Sequence, residues 1–73
     1  MVVPVSYLRL PHLRDWRLRS ALSQEALADL AGVSRSTIYN AETGEKDVLP
    51  STALAIAKAL KIKPHELQHL PPI

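Results

Sequence analysis

Apolar positions along the chain recur at helical rather than strand spacing over most of its length. Leu13, Trp16 and Arg17 fall on one face of a segment that Pro11 suits as a first turn and that runs to about Ser20. Leu27, Leu30 and Ala31 form the next stripe, the predicted buried face of a helix opened by Ser23. The Ser23 hydroxyl fits an N-cap, and Gly32 supplies a left-handed stop. Ala26 stands where a capping box needs Glu, so the cap is a plain one. Ser34 then opens a second short helix, from Arg35 to about Thr43, that ends at Gly44.

The remaining pattern continues in the same style. Glu45 to Leu49 reads as a polar loop, and Pro50 or Ser51 opens an Ala-rich helix whose small residues permit close packing. Lys63-Pro64 begins a last short helix, ending by Leu70 before Pro71-Pro72. Residues 1–10 alternate weakly around Pro4 and predict an extended arm or edge strand. The sum is an all-α, compact five-helix bundle over residues 11–70, preceded by that N-terminal arm and followed by a tail of residues 71–73. Two short helices joined by Ala31-Gly32-Val33-Ser34 make a helix-turn-helix in physical terms.

Composition narrows what such a bundle is for. Seventy-three residues leave no room for two lobes around a deep cleft, and the absence of cysteine excludes a disulfide framework or a Cys-based zinc finger. No apolar run is long enough to span a bilayer, and MVVPVSYLRL lacks the basic start of a signal peptide, so the expectation is an intracellular domain. Net charge is only +2. Cations gather at Arg9, Arg14, Arg17 and Arg19 and again at Lys58, Lys61 and Lys63, while residues 23–47 are acidic. Charge alone therefore does not select a nucleic-acid binder.

The second short helix does. On a helical wheel Thr37, Ile38 and Ala41 face the core, and Arg35, Ser36, Tyr39, Asn40 and Thr43 fill the opposite arc. That arc contains no carboxylate and consists of residue types that hydrogen-bond base edges: Arg to guanine, Asn to adenine, Ser to several partners. The run LSQEALADLAGVSRSTIYNAETG, residues 22–44, resembles the helix-turn-helix of phage repressor, Cro and related bacterial regulators, and the similarity extends from Leu13 to Leu67.

The resemblance implies a cytoplasmic, dimeric transcriptional regulator or repressor of bacterial or phage origin that binds double-stranded DNA without a cofactor or metal. Arg35, Ser36 and Asn40 match base-contacting positions, and Tyr39 reaches bases or backbone according to the member. Gln24 matches a phosphate contact that also buttresses the recognition helix, and Ser23, Ser34, Thr43 and Lys46 are further phosphate candidates. Arg17 and Glu42 match a salt bridge between helix 1 and the end of the recognition helix. The resemblance also implies that Leu67 and Leu70 of the last helix pack inward. Ala21 stands where many members carry Gly, so the first turn is expected to be built differently or helix 1 to run longer. Ala41 replaces a usual large apolar residue, and the loop Glu45-Lys46-Asp47 is poor in the cations that meet phosphates.

Two rival readings follow from other residues. The acidic loop and small net charge suit a protein-interaction module, an antitoxin or adaptor with a protein partner. Residues 65–69, HELQH, formally match a zinc-protease motif, since His65 and His69 share a face if the segment is α-helical. That chemistry needs a third ligand and a substrate cleft, and nothing after His69 supplies a ligand. The dimer surface is expected at the arm, Val2 to Leu10, or at Leu70 to Ile73.

Overall fold

A computed structural model describes residues 9–72 of the chain. Four α-helices follow one another: α1 (Leu13–Arg19), α2 (Gln24–Ala31), α3 (Arg35–Thr43) and α4 (Pro50–Leu60), and a 3₁₀ turn (Pro64–Gln68) closes the order. The expected fifth helix is thus a single 3₁₀ turn, and the bundle has four helices. Prolines bracket that segment at Pro64 and at Pro71-Pro72, and the residue before a proline is biased toward extended backbone. The turn ends at His69, already extended at φ −125° and ψ 158°.

Local signals set most helix ends. Ser23 Oγ accepts from Ala26 N–H at 3.0 Å and Ser34 Oγ from Thr37 N–H at 3.1 Å, each satisfying a donor that the first turn leaves orphaned. Gly32 and Gly44 cap α2 and α3 at φ 71° and 77°, where a side chain is disfavoured. After α1 the chain makes the same left-handed excursion without glycine, because Ala21 itself sits at φ 57°. Helix 1 does not run longer; alanine accepts the strained conformation instead.

The helices converge on Leu13, Leu27, Ile38, Ile56 and Leu67, all fully buried. Leu10, Trp16, Ala28, Ala41, Val48, Ala53, Ala57 and Leu60 surround them. α2 packs against both α4 and α3, which makes it the hub of the domain. Two expected core residues lie outside: Leu30 is 62% and Leu70 65% exposed. On α2 the buried arc runs from Leu27 to Ala28 with Ala31 between them, and Leu30 falls roughly 60° to the far side of Leu27. The arc of Leu27, Ala31 and Ala28 therefore turns toward the core, and Leu30 lies at its rim beside Ala55, Lys58 and Ala59 of α4.

The C-terminal turn is fastened through Trp16. Its indole N–H donates to the carbonyls of Glu66 (3.0 Å) and His69 (2.8 Å), and the Arg19 guanidinium lies 5.4 Å from the ring centre. Gln68 Nε2 donates to the Arg9 carbonyl at 2.7 Å, tying the entry to α1 to the same turn. No helix among the described residues is long and apolar enough to cross a membrane. Of the arm predicted for residues 1–10, residues 1–8 lie outside the described residues, as does Ile73 of the proposed C-terminal contact.

Candidate nucleic-acid interface

Helix α3 presents the face that the wheel assigns. Ile38 and Ala41 are buried and Thr37 partly so, whereas Arg35, Ser36 and Thr43 are exposed and Tyr39 is 50% exposed. Arg35, Ser36, Tyr39 and Asn40 line one shallow surface depression, and none of the four is acidic. A second depression joins Arg35 to Ser23, Gln24 and Glu25 at the start of α2. A third brings Asn40 beside Thr37 and Lys46. Seven of the residues singled out from sequence thus form one continuous strip: Ser23, Gln24, Arg35, Ser36, Tyr39, Asn40 and Lys46.

The hydroxyls on this strip are partly committed to the fold. Ser23 and Ser34 serve as N-caps, and Ser34 Oγ also lies 2.9 Å from Thr37 Oγ1. Thr43 Oγ1 donates back to the Tyr39 carbonyl at 3.0 Å, one turn earlier in α3. Each hydroxyl keeps some capacity toward a ligand, but its position is fixed by the helix end it serves.

Beneath the strip, α1 and α3 are joined by the expected ion pair. Arg17 Nη2 donates to Glu42 Oε1 at 3.0 Å and Nε donates to Oε2, a two-pronged contact, while Nη1 donates to the Leu22 carbonyl at 2.9 Å. The two side chains are 10% and 4% exposed. Hydrogen bonding to the Glu42 carboxylate raises the Arg17 pKa above its ordinary value against the opposing effect of burial, so the guanidinium stays charged in the interior. Gln24 Nε2 donates to Glu42 Oε1 at 3.3 Å, which orients the Gln24 amide from below. Among the described residues, every buried side-chain nitrogen and oxygen has a partner.

Residues 13–67, three quarters of the chain, match the model of a family described as helix-turn-helix. The chain belongs to this helix-turn-helix family. It is 41% identical over 49 residues to control protein C.SmaI of Serratia marcescens, covering 67% of this chain and 58% of that protein. The chain thus spans less than two thirds of the length of that curated relative. Among solved structures it is similar to the restriction-modification controller protein C.AhdI of Aeromonas hydrophila, with 44% identity and a TM-score of 0.74, covering 75% of this chain and 83% of the other. It is also similar to the P22 c2 repressor protein, solved in complex with a synthetic operator. There the identity is 31% and the TM-score 0.73, over 85% of this chain and 94% of that one.

The helix-turn-helix domain leaves the zinc-protease pattern without its premise. His65 and His69 are exposed and belong to a 3₁₀ turn and the residue after it. At three residues per turn, positions i and i+4 do not eclipse, so the two imidazoles do not share a face. Among the described residues no group of three or more His, Cys, Asp or Glu side chains is placed to hold a metal ion. One residue of the strip's edge escapes sequence reasoning. Arg9 lines a depression with Thr43, Gly44, Lys46 and Asp47 at the far end of α3. Its only signal in the sequence is its charge; the contact across the fold is invisible there.

Proposed function

We propose that the protein is a cytoplasmic transcriptional regulator or repressor that recognises double-stranded DNA in a sequence-specific manner, with α3 in the major groove. Arg35, Ser36 and Asn40 would meet base edges, with Tyr39 offering a ring and a hydroxyl beside them. Ser23, Gln24 and Ser34 at the α2 and α3 starts, and Thr43 and Lys46 at the other end, would meet phosphates. The observation that carries the reading is the exposed, carboxylate-free face of α3, held on a rigid base by Arg17 and Glu42. Its relative, the P22 c2 repressor, supports it, having been solved on operator DNA.

One module makes few contacts, so the working unit in this reading is a two-fold homodimer on a pseudo-palindromic site, with recognition helices roughly 34 Å apart. The reading calls on no cofactor, metal or catalytic group. The test is selection from a randomised duplex pool, followed by fluorescence-anisotropy titration of wild type and Arg35→Ala. A symmetric site should be enriched, and Arg35→Ala should weaken or relax it by ~1–3 kcal/mol. Weak, unselective binding indifferent to Arg35 would sink the DNA reading and point to a protein partner, for which the exposed Leu30 and Leu70 are the obvious contacts.

A further inference from the structure

Arg9 precedes α1 in the chain, yet its guanidinium lies at the C-terminal end of α3. Nε is 3.0 Å from the Asp47 carboxylate, and Nη1 lies 3.7 Å from where a side chain on Gly44 would begin. The backbone beneath it is anchored on two sides. Its carbonyl accepts from Gln68 Nε2 at 2.7 Å, and the next residue, Leu10, is buried in the core at 2% exposure. The side chain itself is 73% exposed, so a fixed stem carries a solvent-facing guanidinium.

This placement answers the charge deficit of the loop after α3. Glu45, Lys46 and Asp47 together carry one net negative charge, which would repel a phosphate at that edge. Arg9 pairs with Asp47, brings the edge to neutrality, and retains its Nη groups, which have no acceptor among the described residues. The strip then has a cation at each end: Arg35 beside the start of α2, and Arg9 with Lys46 beyond Thr43.

We infer that Arg9, positioned by Asp47, is a phosphate-binding residue at the far edge of the α3 face. The inference rests on the DNA reading above, and its test separates the two. The competing role for Arg9 is purely structural, a counter-charge for the carbonyl end of α3. The selected duplex is titrated with wild type, Arg9→Gln, Arg9→Lys and Arg35→Ala across a salt series, and each variant is melted in parallel.

With Arg9→Gln, affinity at about 0.15 M salt should fall roughly 3- to 10-fold, and the slope of log K against log salt should shrink by about 0.9 for each bound copy. Arg9→Lys keeps the charge and should keep the slope. A slope unchanged in Arg9→Gln while Arg35→Ala abolishes selective binding would overturn the inference and leave the DNA reading standing. If Arg35→Ala is also without effect, the DNA reading itself has failed. Should Arg9→Gln melt at the assay temperature, Arg9→Lys decides: a melting point restored without any selective binding overturns the assignment of Arg9 as a phosphate-binding residue.

Discussion

Replacing Glu42 by alanine removes the carboxylate that neutralises Arg17 inside the domain. The guanidinium is then left among groups that offer it one carbonyl, that of Leu22, in place of three acceptors. Both side chains are nearly sequestered from water, so the loss is the cost of a stranded charge, about 3–5 kcal/mol, rather than the small value of a surface pair. A domain of 73 residues has roughly 4–11 kcal/mol in total, so Glu42→Ala should unfold largely or melt far below wild type. Replacing both partners, as Arg17→Met with Glu42→Leu, removes charge and countercharge together and should recover most of that loss. Urea unfolding monitored by helical circular dichroism gives all three stabilities on one scale. A Glu42→Ala cost under about 1 kcal/mol, or a double variant no better than the single, would refute the reasoning.

Three further outcomes are expected. Ala21→Gly relieves an alanine at φ 57°; a left-handed residue costs roughly 1–2 kcal/mol, and glycine gives back part in unfolded-chain entropy. A net gain of about 0.5–1 kcal/mol should raise the melting temperature by about 2–8 °C. Ser34→Ala deletes the α3 N-cap and should cost about 1 kcal/mol in the same urea assay, with the fold retained. Asn40→Ala, partly exposed on the α3 face, should leave stability within about 0.5 kcal/mol while costing roughly 1–3 kcal/mol of base discrimination in the anisotropy titration.

The sequence was most legible where a helix end is a local event. Ser23, Gly32, Ser34 and Gly44 each act on neighbours within four residues, and α2 and α3 begin and end where those residues place them. It was less legible where a side chain's fate depends on which arc a partner covers. Leu30 belongs to the apolar stripe of α2, but it sits at the rim of a depression with Ala31 and the α4 residues Ala55, Lys58 and Ala59 and stays 62% exposed, while Ala28 is buried. Pro64 is a sound first-turn residue and marks where the last segment starts, but between it and Pro71-Pro72 the chain makes only a single 3₁₀ turn before returning to extended backbone at His69. Ala21 shows the limit of reading conformation from residue type, since the fold imposes there the backbone that glycine would choose freely. The Arg17 and Glu42 pair is legible through the family resemblance and not through spacing. Nothing in the sequence neighbourhood of Arg9 anticipates its contact with Asp47.

Trp16 is the protein's single tryptophan, and its N–H is bonded to the C-terminal turn. The chain therefore carries an intrinsic optical reporter for one specific event, the docking of residues 64–69 onto α1. A sequestered, hydrogen-bonded indole emits at shorter wavelength than a hydrated one. A red shift that precedes the loss of helical signal during denaturation would mean that this turn undocks first, ahead of the recognition helix. Coincident transitions would mean that the last turn and α3 belong to one cooperative unit.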